Sequence, residues 1–202
     1  MQSATRIYGD KMDTLWGEFL PSPAEQVTLV HDGDVLEVAG LKFTAIESPG
    51  HARHHHVFRL GDVAFTGDAA GIHLPDMPMI DVPAPPPEFE LEVWEVTIDR
   101  LLSENFAQLY PTHFGALDNV TEHLTTLKKL MRETAVTIKT HLDAGMERDE
   151  LVETYNNWNR ARARKAGMND TAIHQYETSN PWYMSVDGIS RYWRKREAAT
   201  GG

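Results

Sequence analysis

The chain of 202 residues has no cysteine. That excludes disulfides and thiolate metal sites. No apolar run approaches the ~20 residues that cross a bilayer. MQSATRIYGD also lacks the basic-then-apolar order of a signal peptide, so the expectation is a cytoplasmic protein without a membrane partner. Basic residues are scarce: 19 Lys and Arg against 30 Asp and Glu give a net charge of −11. A broad nucleic-acid-binding face is therefore not expected. The shortage is uneven. Residues 151–202 carry eight Lys/Arg and five Asp/Glu, a net of +3, which leaves −14 on residues 1–150. The basic end recognises an anionic substrate, docks on the acidic body, or is a solvated helix face.

What is present is a globular composition, 41% hydrophobic and 24% charged, sufficient for one sizeable core. Ala4, Tyr8, Met12, Leu15, Trp16 and Phe19 recur at helical spacing and predict a helix over 3–19, ended by Pro21. Strands are expected at 27–31, 34–38, 41–47, 56–60 and 63–67, separated by Asp32-Gly33, Ala39-Gly40, a longer loop and Gly61-Asp62. Such pairs favour tight hairpins, so this region reads as an antiparallel meander. Residues 74–87 hold six of the eleven prolines and read as an extended connector or as a lid carrying Met77 and Met79. Helices follow over 88–105, from an Asn119/Glu122 capping box to about 143, over 148–166, and from Asn180-Pro181 through Arg196. A strand at 108–112 lies between the first two. The fold class is α+β.

Four of the ten histidines crowd one stretch, SPGHARHHH: His51, His54, His55 and His56. If 41–47 runs up, 56–60 runs down and 63–67 runs up. A helical crossover over 88–105 makes 108–112 parallel to 63–67, so it also runs up. His51, Asp68 and His113 then follow three strand tops on one sheet edge. Two imidazoles and a carboxylate suit Zn²⁺ or another borderline divalent ion. Each residue also has a plainer reading: a loop histidine at a strand end, a turn-capping aspartate, a core histidine. One of His54, His55 and His56 steadies a ligand or lines the pocket, or all three are polar residues at a strand start. His73 faces substrate or solvent. His31, His123, His141 and His174 read as surface residues. Arg160, Arg162, Arg164, Lys165 and Arg191 to Arg196 are candidates to hold an acidic group, and Trp158, Tyr192 and Trp193 read as packing.

SPGHARHHH, FTGDAAG and YPTHFG, spaced 17 and 45 residues apart from His51 to Asp68 to His113, resemble the last three metal motifs of the metallo-β-lactamase superfamily. SATRIYGDKMDTLWG and NPWYMSVDGISRYWRK resemble its bacterial and archaeal generic metallohydrolases. The resemblance implies an αββα sandwich, present here as a mostly antiparallel half-sandwich over 1–145 with a C-terminal helical extension over 146–202. It implies a two-metal site, zinc in the first instance with iron or manganese as alternatives. His51 would bind the first metal, Asp68 would bridge, His113 would bind the second, and a metal-bound hydroxide would be the nucleophile.

The superfamily's earlier His-x-His-x-Asp-His motif stands nowhere in this sequence, so the chain reads as a member lacking its first β/α half. Three readings follow. The first is a metal-dependent hydrolase of an ester, thioester or lactone-type bond in a small-molecule substrate, resembling glyoxalase-II-like thioesterases. The second is an incomplete remnant or interaction module that needs a complementing N-terminal fragment or self-association. The third is a nuclease, which the acidic body disfavours.

Overall fold

The computed structural model describes residue 5, residues 9–18, 20–113 and 115–200. Two compact units divide at Val30 and His31. In the first, a 3₁₀ turn at Gly9–Lys11 leads into a short helix α1 (Met12–Trp16). The remainder of the expected 3–19 helix largely falls outside the described residues. No strand forms over 27–31. Val27 and Leu29 alternate as a strand would, but they are 52% and 80% exposed and pair with nothing.

The second unit carries a five-stranded sheet, β1 (Val35–Val38), β2 (Leu41–Glu47), β3 (His56–Leu60), β4 (Val63–Gly67) and β5 (Gln108–Pro111), in that spatial order. The first four strands form an antiparallel meander, and β5 lies parallel to β4. The turn pairs act as the sequence suggests. Ala39 and Gly40 both take positive φ (51° and 79°) between Val38 and its partner Leu41, as a primed hairpin turn requires. The crossover is α2 (Leu91–Ser103), shorter than the expected 88–105. After β5 come α3 (Val120–Asp143), α4 (Arg148–Lys165), α5 (Asp170–Ser179) and α6 (Trp182–Thr200).

One face of the sheet is buried. Ile46, Val57, Ala64 and Leu109 join Trp94, Ile98 and Leu101 of α2 and Leu124, Leu127 and Met131 of α3 in one apolar cluster. The other face is open. Register sets Leu36 beside Phe43, Ala45 beside Phe58, Phe58 beside Phe65, and Phe65 beside Tyr110. The rings of Phe43, Phe65 and Tyr110 follow one another at 6.0 and 5.2 Å. Val38, Leu41, Phe65 and Tyr110 stay 56%, 49%, 40% and 37% exposed. Within this unit, among the described residues, helices cover one side of the sheet, an α+β half-sandwich.

The C-terminal helices clamp the proline-rich segment. Tyr176 of α5 accepts from Leu74 N at 3.0 Å and donates to Met79 O. Arg162 of α4 donates to Ile80 O at 3.1 Å. α6 crosses so closely that a Cβ on Gly188 would lie 2.0 Å from Ala84 O. The segment is therefore a buried strap, with Met79, Val82 and Ala84 in the core. The basic end docks on the acidic body: Lys195 pairs with Glu90, Arg196 with Glu92, and Arg160 and Arg164 pair with Glu177 and Asp170 within it. Two caps differ from expectation. Asn119 makes no side-chain cap bond, and Asn180 turns its amide to Asp81. α5 was not foreseen; Asn169 caps it by accepting from Ala172 N at 2.9 Å. No helix among the described residues is long and apolar enough to cross a membrane.

Asp81 anchors the strap. Its buried carboxylate accepts from Asn180 Nδ2 at 2.9 Å, Trp182 Nε1 at 2.6 Å and Val82 N at 2.9 Å. Burial pushes its carboxyl above the usual range, and the Asn180 amide, the Arg162 charge and the Trp182 indole pull it back. Asp81→Ala strands two buried side-chain donors at about 1–3 kcal/mol each. Urea denaturation should show a loss of at least about 2 kcal/mol; a loss below about 0.5 kcal/mol would refute this anchoring role.

Candidate metal centre

The loop after β2 is built to present His51. Ser48 N donates to His55 O at 2.8 Å and closes the loop. Thr97 Oγ1 donates to Pro49 O at 2.6 Å, and Glu90 N donates to Gly50 O at 2.9 Å, pinning the loop to α2. Gly50 has φ +131°, and a Cβ there would sit 2.2 Å from Trp94 Cβ. The Pro-Gly before His51 thus reflects helix-to-loop contact that tolerates no side chain. Trp94 completes the wall: its ring meets the His51 ring edge-on at 5.7 Å, and its Nε1 donates to Ala69 O at 2.8 Å.

His51 Nδ1 lies 2.8 Å from Pro83 O. A carbonyl only accepts, so Nδ1 carries a proton, and Nε2 is the nitrogen that holds the lone pair of the neutral ring. That Nε2 lies 3.4 Å from Asp68 Oδ2. Asp68 opens the 3₁₀ turn Asp68–Ala70 directly after β4. His113, two residues past β5, takes a left-handed backbone (φ +71°) and brings its Nε2 to 3.9 Å from Asp68 Oδ1. Histidine is among the non-glycine residues that enter this region more readily, and the turn here carries the imidazole toward Asp68. The structure therefore gathers His51, Asp68 and His113 around one carboxylate on one rim.

Asp68 Oδ1 is a buried oxygen without a hydrogen-bond partner. An anionic oxygen left so is costly, and with imidazole nitrogen on both sides the donor set fits a borderline divalent cation. The fit is partial. Among the described residues no group of three or more His, Asp or Glu side chains is arranged to hold a metal ion by itself. His51, Asp68 and His113 lie near one another without reaching that arrangement.

The neighbouring histidines separate. His55 belongs to the site: its ring stands edge-on to His51 at 5.8 Å, and a Cβ on Gly67 would touch its Nε2 at 2.7 Å. Burial, then the neighbouring His51, push its pKa down to about 4 against the opposing pull of Asp68, which keeps the ring neutral near pH 7. His54 is exposed, 3.6 Å from Glu88. His56 stacks on Phe58 on the open sheet face. His73 sits in a cleft of about 450 Å³ between α3 and the strap, its ring 5.9 Å from that of His123. His123, expected at the surface, is buried and its Nε2 lies 2.8 Å from Ala70 O, to which it donates. Its place one residue before Leu124, with Leu127 and Leu130 four and seven residues on, was the available signal. Trp94, Thr97 and Pro83 steady the site although nothing in their sequence context distinguished them from core and connector residues.

No protein-family profile matches the chain. A curated metallo-β-lactamase fold-containing protein of Sulfurisphaera tokodaii is 27% identical over 99 residues, 49% of this chain and 37% of that protein. A lactamase-like protein of Pestalotiopsis fici is 26% identical over 117 residues, 57% and 33% respectively. Among solved structures, an archaeal metallo-β-lactamase superfamily protein from Sulfolobus tokodaii superposes with a TM-score of 0.52 at 24% identity, covering 62% of this chain and 48% of that one. A metallo-β-lactamase family protein from Thermus thermophilus gives 0.54 at 22% identity, covering 84% and 49%. The chain spans about a third of the curated relatives' length and about half of the solved ones.

Gly50→Ala forces its Cβ into the Trp94 backbone and should displace the His51 loop. We expect a destabilisation of about 1–3 kcal/mol with altered His51 and His55 imidazole resonances in NMR spectra; unchanged stability and spectra would contradict the close-packed origin of this glycine.

Proposed function

From the premise that the chain belongs to the metallo-β-lactamase superfamily, we propose that it forms the C-terminal half-site of a metal-dependent hydrolase acting on an ester, thioester or lactone-type bond of a small molecule. The observation that carries the reading is Asp68, with an unpartnered buried oxygen, flanked by His51 and His113 at 3.4 and 3.9 Å. His51 and Asp68 would hold one ion, Asp68 and His113 a second; zinc suits these donors best, and iron or manganese is compatible. When bound, the metal supplies Lewis acidity at the scissile carbonyl and a water of lowered pKa. The protein's part is orientation: Pro83 O fixes the His51 tautomer, His55 stays neutral beside it, and the left-handed turn at His113 aims the second imidazole. The acidic charge and absent cysteine support a cytoplasmic setting without nucleic-acid partners.

One histidine per ion and a shared carboxylate are too few donors for tight binding. The open apolar sheet face supports a source for the rest: a second sheet packed there, from a complementing N-terminal segment bearing the missing His-x-His-x-Asp-His ligands. A second copy of this chain would cover the face but bring none of them. The same face, with the absence of a self-sufficient metal cluster among the described residues, favours a rival reading as a non-catalytic interaction module.

Cobalt(II) titration followed by absorbance tests the half-site. The chain alone should bind Co²⁺ weakly, and His51→Ala, Asp68→Asn and His113→Ala should each lower affinity at least about tenfold, the scale of losing even a ligand-orienting neighbour. Identical titrations for the wild type and all three variants, with no turnover across thioesters and lactones, would leave only the interaction-module reading.

A further inference from the structure

Beside the candidate metal centre lies a second cavity, of about 470 Å³. This is within the roughly 300–1,000 Å³ typical of small-molecule pockets. One wall is the strap, through Leu74, Pro75 and Met77. The other is α5, through Gln175 and Thr178. His113 lines it as well. The metal-facing imidazole and an apolar groove therefore share a side chain. The walls are tied together: Tyr176 of α5 takes the Leu74 amide and donates to Met79 O, and the loop past His113 abuts the strap where a Cβ on Gly115 would lie 3.2 Å from Pro75 Cγ. The groove is thus preformed.

Its chemistry is selective. The strap wall is aliphatic, and no Lys or Arg lines the cavity. Its polar lining is the imidazoles of His113 and His174, the Gln175 amide and the Thr178 and Ser179 hydroxyls, with no fixed positive charge among the described residues to offset the desolvation of a carboxylate or phosphate. The nearby arginines of α4 are engaged elsewhere: Arg160 with Glu177, Arg164 with Asp170, and Arg162 with Ile80 O and Asn159. Among the described residues the only aromatic rings lining it are the imidazoles of His113 and His174, and the thioether of Met77 adapts to a flexible chain.

Resting on the hydrolase reading above, we propose that this groove takes an uncharged, linear aliphatic acyl group of the substrate, with Met77 and Thr178 setting its accepted length and His113 placing the scissile carbonyl at the metal centre. The substrate class is then medium-chain acyl esters and thioesters rather than anionic acyl derivatives.

The test reads binding without metal. The metal-free full chain is titrated calorimetrically with the S-octyl and S-ethyl thioethers of N-acetylcysteamine, which cannot be hydrolysed. Each buried methylene contributes roughly fourfold in affinity, so the octyl probe should bind at least ~50-fold tighter than the ethyl. Thr178→Trp, on an exposed helix position, should bring the octyl probe to the ethyl level with an unchanged circular dichroism spectrum, and Met77→Asp should weaken it at least ~10-fold. Equal affinity for both probes, or an octyl preference untouched by both substitutions, overturns the groove. Chain-length selectivity without turnover of octanoyl thioester by the metal-loaded protein upholds the groove and counts against the hydrolase reading alone. Turnover indifferent to chain length does the reverse.

Discussion

The direction of β5 is the constraint on which the account depends. Because α2 carries the chain over the buried face of the sheet, β5 lies parallel to β4. The ends of β2, β4 and β5 therefore open on the same rim. An antiparallel β5 would send His113 to the far edge, and Asp68 would have one imidazole beside it. The rim also explains the backbone around it: Gly50 permits the contact of the His51 loop with Trp94, Gly67 makes room for His55, and His113 accepts a left-handed φ.

Much of this was legible in the sequence because it is local. Turn pairs mark hairpins through the φ values they permit, and Ala39-Gly40 and Gly61-Asp62 do so here. Three polar residues each following a strand could be placed on one edge by counting directions. What was not legible depends on contacts distant in sequence. Val27 to His31 has strand-like alternation yet no neighbour to complete a ladder. α5 buries Ile173 and Tyr176, with Ala172 packed beside them, too short a stripe to stand out, and its role emerges only with the strap it clamps. Asn180 resembles a cap but serves Asp81, 99 residues away.

The open sheet face and the incomplete donor set are two aspects of one fact. Phe43, Phe58, Phe65 and Tyr110 form an apolar surface suited to a second sheet, and the carboxylate at its rim has fewer neighbours than a tightly held ion demands. A partner layer would bury the first and complete the second. The C-terminal helices do neither; they brace the strap that orients His51 through Pro83 and line the groove reached from His113. Three parts are thus distinct: a rim that gathers His51, Asp68 and His113, a helical brace, and an apolar sheet face.

The most direct measurement is anomalous diffraction at the zinc edge from crystals of the full chain soaked in zinc. The account predicts a peak bounded by His51 Nε2, the Asp68 carboxylate and His113 Nε2, weak in the chain alone and stronger with a complementing segment bound. Zinc found instead at His73 and His123, or absent from Asp68 at saturating concentration, would contradict it.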